Sequence, residues 1–368
     1  MNHTNAQTFI GCISGTSVDG LDVAALDIDD NGRISFRAAQ TYPIADDLRT
    51  QLLALGQPDN DDIDQLGQAD AQLGELTGVT INAFIAEHNL QPTAIGNHGQ
   101  TVRHRPGQQY GFTLQIGDAN RIAEITGVTT VADFRRRDMA AGGEGAPLVP
   151  PFHQELFASA GPAPVVLNIG GISNISILGD PVRGFDTGPG NGLLDAWCAR
   201  HTGQPFDDGG AWAAGGSTDE ALLQRLLADP FFAMTPPKST GREYFNLPWL
   251  DKLLSDTAAS PQDIQTTLVD LTARCTADAL AEWGDDYSDL IVCGGGRLNH
   301  HLMQRLGHFA TGNVQASEHF GVNGDAIEAG LFAWLAYRTL AGLPGNAAAV
   351  TGAAGARVLG AIYTGATP

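Results

Sequence analysis

One layout occurs twice in this chain: a strand, a short turn that contains glycine, and a second strand. Residues 9–28 carry apolar positions at both ends and, between them, the glycines, hydroxyls and carboxylates of SGTSVDG. Residues 163–178, APVVLNIGGISNISIL, follow the same order without repeating those letters. Helical patterns separate further strand patterns after each segment, as in α/β proteins. We therefore predict an α/β fold made of two similar lobes.

The rest of the chain fits this organisation. Apolar positions follow helical spacing from Ile63 to His88, and the segment 260–284 carries Ser260 as an N-cap and Gly284 as a stop signal. Other patterns predict a strand at 33–44, a strand end and turn at 94–102, a strand–helix–strand unit at 112–134, a strand, glycine turn and helix at 289–306, and a helix at 324–342.

A change of composition marks a boundary between the lobes. Residues 135–153 are rich in glycine and proline and form a candidate hinge. We place the N-terminal lobe at 1–135, with the first hairpin, and the C-terminal lobe at 136–368, with the second. We expect that the extreme C-terminus can pack back on the first lobe.

Charge and cysteine content limit the partners and the compartment. The 368 residues include 41 acidic and 20 basic ones, a formal net charge of −21. Nucleic acids and anionic membranes attract basic surfaces, so we expect neither as a partner. We expect no signal peptide and, without a run of about 18 apolar residues, no transmembrane helix. Four cysteines that form no C-x-x-C indicate free thiols in a reducing cytoplasm.

The basic residues exclude one class of nucleotide site. They comprise 18 arginines and two lysines, Lys238 and Lys252. A Walker-type phosphate loop needs a glycine-rich turn that ends in Lys-Ser or Lys-Thr. The segment before Lys238, MTPP, contains no glycine, and Lys252 follows PWLD. If the protein handles ATP, it uses another architecture.

Three glycine-bearing turns offer such an architecture. They are SGTS (14–17), GGISN (170–174) and CGGGRLN (293–299), each at the end of a predicted strand. Glycine lets backbone N–H groups approach an anion closely. A single Gly-Gly turn is usually structural, and GGGRLN lacks the last glycine of the dinucleotide fingerprint because Asn299 stands there. The ordered set of three is much more specific than any one turn.

That order resembles the superfamily of sugar kinases, actin and heat-shock ATPases, and the letters resemble the anhydro-N-acetylmuramic acid kinases. The resemblance extends from about Phe9 to at least Glu328. It is carried by SGTSVDGLD (14–22), NHGQTV (97–102), ADFRRRDMAAGGEGAPLVPPFH (132–153), NIGGISN (168–174), FDTGPGN (185–191) and GGGRLNHHLM (294–303). It implies the two-lobed actin-like ATPase and sugar kinase fold, with duplicated ribonuclease H-like domains and a central cleft.

The resemblance also implies an activity. Members of the family use ATP and water to open 1,6-anhydro-N-acetylmuramic acid and phosphorylate O6, which gives N-acetylmuramic acid 6-phosphate and ADP in cell-wall recycling. O6 of this sugar is bonded to the anomeric carbon, so there is no free 6-hydroxyl until the ring opens. One carboxylate that deprotonates the attacking water can serve both steps. The resemblance further implies a cytoplasmic homodimer.

The resemblance assigns roles to residues at matching positions. Asp186 corresponds to the general base, although an aspartate before Thr-Gly-Pro-Gly could also form a turn without chemistry. Asp19 is expected in the active site, and Asp19 and Asp22 near nucleotide-bound Mg²⁺, unless Asp22 caps a turn or faces solvent. The expected nucleotide-binding residues are Gly15, Thr16, Ser17, Val18, Asp19, Gly20, Leu21, Asp22, Gly170, Gly171, Asn174, Gly294, Gly295, Gly296 and Asn299.

The expected sugar-binding residues come from both halves of the sequence. They are Ser14, Gly15, His98, Gln100, Arg121, Asp186 and Glu328. Two of them have an alternative reading: Glu328, in an apolar helix, could cap a polar network, and Arg121 could pair with Asp118 on a helix face. The run RRRD (135–138) is more typical of a hinge salt-bridge cluster, and Asp195 of the helix after the FDTGPGN motif.

Two other functions stay open from the sequence. The first is a kinase of the same fold that acts on an ordinary sugar or a small acid without ring cleavage. The second is a non-catalytic module switched by ATP, which would need a peptide-binding domain or a filament surface. Isotope-labelled water separates the first from an anhydro-sugar kinase, and release of ADP separates the second.

Overall fold

The computed structural model describes residues 6–15, 17–57, 62–161, 163–254, 257–284 and 286–365. Its strands are β1 (Gln7–Ser14), β2 (Leu21–Ile28), β3 (Ile34–Tyr42), β4 (Pro92–Arg105), β5 (Phe112–Ile116), β6 (Thr130–Ala132), β7 (Val165–Ile169), β8 (Ile172–Ile177), β9 (Arg183–Pro189), β10 (Asp289–Cys293), β11 (Asn313–Ala316) and β12 (Ala361–Tyr363).

The helices alternate with these strands. They are α1 (Asp46–Gly56), α2 (Ile63–His88), α3 (Ala119–Thr126), α4 (Arg136–Ala140), α5 (Pro150–Leu156), α6 (Asn191–Thr202), α7 (Glu220–Leu227), α8 (Leu247–Leu253), α9 (Pro261–Trp283), α10 (His300–Phe309), α11 (Ile327–Leu340) and α12 (Ala348–Thr351). Short 3₁₀ turns occur at Asp208–Gly210, Ala213–Gly215, Gly295–Leu298, Ser317–Phe320 and Gly324–Ala326.

The chain forms two compact units. Unit 1 comprises Met1–Leu156 and Ala326–Pro368, and unit 2 comprises Phe157–Asp325. The sequence places the boundary near residue 135, whereas the first stretch of unit 1 extends to Leu156. The segment after Asp325 belongs to unit 1, and its last strand, β12, pairs with β6.

Both units use the same strand order. In unit 1, β3, β2 and β1 form an antiparallel meander, and β4 and β6 follow beside β1 in parallel. In unit 2, β9, β8 and β7 form the meander, and β10 and β11 follow beside β7 in parallel. This correspondence confirms the predicted α/β fold with a duplicated core.

The sheet of unit 1 is buried by helices, and two glycines allow the close approach of one of them. Gly11 of β1 and Gly96 of β4 are register partners, and both lie under α11. A Cβ at Gly11 would overlap the Ala329 carbonyl oxygen, and one at Gly96 would overlap that of Phe332. Buried side chains of α1 and α2 pack with those of β1 and β2 in a separate cluster. The core of unit 2 joins α6, α7, α9 and α10 to β7, β8 and β10.

Local signals in the sequence predicted several element ends correctly. Ser260 accepts a hydrogen bond from the Asp263 N–H, and Asp263 accepts one from the Ser260 N–H, so a capping box begins α9. Gly284 follows the last residue of that helix. The helix predicted from Ile63 to His88 is α2, with Asp62 as its N-cap. No described helix is both long and apolar enough to cross a membrane.

The prediction of a strand end and turn at 94–102 is wrong in its second part. Strand β4 continues through this motif to Arg105, although its register with β1 shifts between Asn97 and Gln100. Gly99 lies at the shift with φ +68°, and a Cβ there would overlap the Ile116 carbonyl oxygen. The glycine that indicated a turn therefore marks an irregular position inside a strand.

Candidate active site

In unit 2, the second glycine turn supports the start of α6. The N–H of Asn191 donates to the Gly170 carbonyl (2.8 Å), and the N–H of Gly192 donates to the Gly171 carbonyl (3.2 Å). The preceding residue, Gly190, must be glycine because its Cβ would overlap the Gly170 carbonyl oxygen. The FDTGPGN motif and the NIGGISN motif thus form one substructure.

The third glycine loop lies against this substructure. Gly294 has φ +73°, and a Cβ there would lie 2.7 Å from the Ile169 carbonyl oxygen at the end of β7. A Cβ at Gly295 would lie 3.3 Å from the side-chain nitrogen of Asn191. Asn299 caps α10 by accepting a hydrogen bond from the Leu302 N–H (2.9 Å). The two turns of unit 2 that are predicted to bind the nucleotide therefore lie next to each other. At Gly294 and Gly295 a Cβ would come close to neighbouring atoms.

Asp186 lies inside β9, although the sequence placed it at a strand end. It pairs with Asn174 of β8, at a register shift next to Ser173. Its Oδ2 accepts a hydrogen bond from the Thr240 N–H (2.9 Å), and its own N–H donates to the Lys238 carbonyl (3.2 Å). Desolvation raises the pKa of Asp186 to about 6, against the lowering effect of the Thr240 hydrogen bond. Such a carboxylate is ionised near neutral pH and basic enough to accept a proton.

The segment that holds Asp186 was missed by the sequence analysis. Lys238 is buried, and its Nζ donates to the carbonyls of Phe231 (3.3 Å) and Phe232 (3.2 Å). Desolvation lowers the pKa of Lys238, whose Nζ also lies 4.8 Å from the Phe231 ring centroid. The available signal was the rarity of lysine, since one of two lysines stands in this segment.

Asp195 lies in α6, as the sequence indicated. Desolvation raises the pKa of Asp195 to about 6; Arg242 opposes this shift, and Asp207 adds to it. Arg242 was also missed, and its side chain crosses Gly171: a Cβ there would lie 2.9 Å from the Arg242 Cδ.

In unit 1, the turn of the first hairpin exposes polar groups. The N–H of Val18 donates to the Gly15 carbonyl (3.0 Å), and Val18 has φ +52°. Ser17 is exposed, whereas the side chains of Val18 and Leu21 belong to the core. Thr16 lies outside the described residues. A Cβ at Gly20 would lie 2.9 Å from the Tyr42 carbonyl oxygen, which gives that glycine a packing role.

The two predicted magnesium carboxylates differ in environment. Asp19 is exposed and pairs with Arg49 (3.3 Å). Asp22 is half-buried and accepts a hydrogen bond from the Thr41 hydroxyl (2.6 Å). Among the described residues, no three or more His, Cys, Asp or Glu side chains form a metal-binding group.

Two predicted sugar-binding residues lie side by side, and each has one polar atom that lacks a hydrogen-bond partner among the described residues. Ser14 at the end of β1 is the register partner of Gln100 in β4. Both side chains are buried, and within the part of the chain that the structure describes neither the Ser14 hydroxyl nor the Gln100 Oε1 has a hydrogen-bond partner. Buried polar atoms normally find a partner, so these two orphaned atoms point to a polar ligand.

His98 forms a second polar group, with Arg135. The Arg135 Nε donates to His98 Nε2 (3.0 Å), and the His98 Nδ1 lies 3.0 Å from the Gly99 carbonyl. The imidazole therefore accepts at Nε2 and donates at Nδ1. Burial and the Arg135 charge hold the pKa of His98 well below its usual value. Arg135, which the sequence placed in a hinge salt-bridge cluster, is thus a positioned cation; desolvation lowers its pKa to about 10, and Glu328 opposes this.

Glu328 is the carboxylate that faces this cation. Its side chain reaches solvent, yet desolvation by the surrounding protein raises its pKa, Asp22 raises it further, and Arg135 lowers it. A cavity of about 230 Å³ beside His98 is lined by polar residues that include Asp118 and Arg136. Arg121 pairs with Glu75 and lies 3.4 Å from Asp118, which matches the alternative reading of this arginine.

Comparisons with known proteins identify relatives. Residues 7–365 match the family model described as Anhydro-N-acetylmuramic acid kinase. The anhydro-N-acetylmuramic acid kinase of Xylella fastidiosa is 49% identical, over 98% of this chain and 97% of that protein. The one from Variovorax paradoxus is 50% identical, over 97% and 99%. Among solved structures, a ROK family glucokinase from Streptomyces griseus in complex with glucose and AMPPNP shares 16% identity at a TM-score of 0.37, over 89% of this chain and 98% of that one.

Proposed function

The chain belongs to the anhydro-N-acetylmuramic acid kinase family, and on that premise we propose that it opens 1,6-anhydro-N-acetylmuramic acid with water and phosphorylates O6 with ATP. The products are N-acetylmuramic acid 6-phosphate and ADP. The relatives that carry this name match almost the whole chain, so the assignment covers both units. We place the reaction in the cytoplasm, as a step in the recycling of cell-wall sugars.

Asp186 is the general base of this proposal, and its setting is the observation that carries the mechanism. The Thr240 N–H fixes one carboxylate oxygen, which leaves the other oxygen to accept a proton from water. The water oxygen then bonds to the anomeric carbon, the bond from that carbon to O6 breaks, and O6 takes the γ-phosphoryl group. Because charge develops on O6 as its bond to carbon breaks, proton removal and phosphoryl transfer support each other.

ATP is assigned to the glycine-bearing turns. The Gly170–Gly171 turn and the Gly294–Gly296 loop lie beside each other in unit 2, where we expect phosphates and a nucleoside to approach the backbone. In unit 1, Ser17 and the backbone of the turn after Ser14 are assigned to phosphate, together with Thr16. Mg²⁺ carried by the nucleotide would be held by Asp22 and Asp19, and it would supply neutralisation of phosphate charge.

The sugar is assigned to polar groups of unit 1 and to Asp186. Ser14 and Gln100 offer unpartnered oxygens that hydroxyl or amide groups of the sugar can satisfy. The His98–Arg135 pair and Glu328 add a neutral imidazole, a cation and a carboxylate. Arg121 remains assigned to the lactyl carboxylate only if it leaves Glu75 and Asp118.

A reaction in H₂¹⁸O tests this proposal. The protein is mixed with ATP and the anhydro sugar in labelled water, quenched early, and the product is analysed by mass spectrometry. Ring opening places one ¹⁸O on the anomeric hydroxyl for each ADP released. Because that hydroxyl exchanges slowly with solvent, unlabelled product incubated in the same water for the same time is the control. ADP release without the label would favour a simple kinase, and no ADP release would favour the non-catalytic module.

The family resemblance also implies a homodimer, which stays part of the proposal. Sedimentation velocity at several protein concentrations tests it. A species of twice the 38.6 kDa chain mass is expected.

A further inference from the structure

Arg242 lies over the second glycine turn of unit 2. A Cβ at Gly171 would lie 2.9 Å from its Cδ and 3.3 Å from its Nε. A Cβ at Gly192, in the first turn of α6, would lie 3.0 Å from the same Nε. The side chain therefore occupies space that exists only because both positions are glycine.

Among the described residues, the Arg242 guanidinium acts on Asp195, whose pKa its charge lowers. It makes no hydrogen bond or ion pair there, and the side chain is exposed. Three other arginines of unit 2 are paired: Arg297 with Glu318 and Asp325, Arg200 with Asp251, and Arg305 with Asp270. In a chain with 41 acidic residues, an exposed cation that lies over a glycine turn without a hydrogen bond or ion pair is a candidate for binding an anionic ligand.

Arg242 belongs to the segment that also makes hydrogen bonds to Asp186. Within residues 238–242, the Lys238 carbonyl accepts from the Asp186 N–H, and the Thr240 N–H donates to the Asp186 carboxylate. The buried Lys238 side chain anchors the start of the segment to two carbonyls. The segment thus links the base at one end to the glycine turn at the other.

We infer that Arg242 is a further catalytic residue, whose guanidinium contacts the transferred γ-phosphoryl group of ATP. This inference rests on the proposed function. Phosphoryl transfer depends mainly on positioning and on neutralisation of the phosphate oxygens. A planar guanidinium can bind two of those oxygens at once, and it remains protonated throughout. In the transfer, the bond from the γ-phosphorus to O6 forms, the bond to the β,γ-bridging oxygen of ATP breaks, and ADP leaves.

The test compares Arg242→Ala and Arg242→Lys with the parent chain. The anhydro sugar and ATP are the substrates, and binding of ATP and of ADP is measured by calorimetry without sugar. We expect kcat to fall about 10²- to 10³-fold in Arg242→Ala, the range for loss of one preorganised donor. The lysine variant should recover part of that loss as a point charge. ATP should bind more weakly to Arg242→Ala, whereas ADP affinity should change less than twofold, since ADP lacks the γ-phosphate.

Arg200→Ala is the matched control. It removes one exposed arginine from the same unit, and its partner Asp251 lies outside the glycine turns. Its kcat should stay within twofold of the parent. Equal losses of ATP and ADP affinity in Arg242→Ala would overturn the inference in favour of a structural role, and so would a kcat within threefold of the parent. If the parent chain does not turn over the anhydro sugar, the proposed function fails; selective loss of ATP affinity would still support the phosphate contact.

Discussion

The two units share a strand order but surround their first hairpin differently. In unit 1, the chain after β3 continues to α1 at Asp46, and the hairpin turn exposes Ser17 and Asp19. In unit 2, α6 begins two residues after β9, and its first residues hydrogen-bond to the Gly170–Gly171 turn. The duplicated topology thus carries a turn with an exposed serine in one unit and a Gly-Gly turn covered by the Arg242 side chain in the other. Fold duplication alone does not duplicate the chemistry.

The carboxylate environments differ in the same way. Asp186 of unit 2 is held by the Thr240 N–H and is largely withdrawn from water, so the pKa of its carboxyl group rises to about 6 through desolvation. Asp19 of unit 1 is exposed and pairs with Arg49. An exposed, screened ion pair contributes about 0–1 kcal/mol. We therefore propose that the proton transfer takes place at Asp186 of unit 2.

Removal of the Asp186 charge should have the largest effect. We expect Asp186→Asn to lower kcat about 10³-fold, because an amide cannot accept the proton of water. Because the pKa of Asp186 is raised on folding, its ionised form costs stability above pH 6, so the variant should be at least as stable as the parent at pH 7.5. Calorimetry should show unchanged ATP binding. A kcat within tenfold of the parent would remove Asp186 from the base role.

Replacing one glycine of each unit by alanine should affect stability in unit 1 and catalysis in unit 2. Gly11→Ala in unit 1 pushes a Cβ into the backbone of α11 and should cost about 3 kcal/mol in the free energy of unfolding. Gly171→Ala in unit 2 meets the flexible Arg242 side chain, so it should cost about 1 kcal/mol or less. It should nevertheless lower kcat about 10- to 100-fold by displacing that arginine. Urea unfolding and steady-state kinetics measure both; equal stability losses would break the contrast.

The pH dependence should follow the carboxylate of unit 2. The base must be ionised, so kcat/KM should rise with pH, reach half its plateau near pH 6, and be about tenfold below the plateau at pH 5. Asp195 has a pKa in the same range, also raised by desolvation, so Asp195→Asn is the necessary control. In that variant, kcat/KM should still fall at acidic pH as it does in the parent. If kcat/KM of Asp195→Asn did not fall at acidic pH, the titrating group would be Asp195 of α6 and not Asp186.

The smallest effect is expected at Arg121 of unit 1. Its guanidinium already pairs with Glu75 and Asp118 on the surface. Arg121→Ala should therefore change KM for the anhydro sugar less than twofold, and kcat even less. A rise in KM of tenfold or more, with unchanged KM for ATP, would restore this arginine as the partner of the lactyl carboxylate.

Several elements were predictable because their signals are local. The capping box of α9 lies within four consecutive residues, and the strand patterns of both hairpins depend on apolar residues close together in the chain. Gly99 shows the limit of such signals. A glycine that looked like a turn lies within β4, because the carbonyl of Ile116 on the paired strand β5 decides what fits there.

The site was predictable only in part, for the same reason. The motif letters made Asp186, Ser14 and Gln100 candidates, but nothing near Asp186 in the sequence indicates Thr240. These two residues are 54 positions apart, and His98 and Arg135 are 37 apart. Arg121 had two readings of equal weight in the sequence, and contact with Glu75 on another helix supports the structural one.

The sequence by itself determined the duplicated α/β layout, the family and the identity of the candidate base, because periodicity and motifs depend on residues close in the chain. Tertiary structure alone decided which backbone amide orients that base, which arginine lies over the glycine turn, and which buried oxygens remain without a partner. Those properties arise from desolvation and from contacts between distant segments, and both come into existence only when the chain has packed.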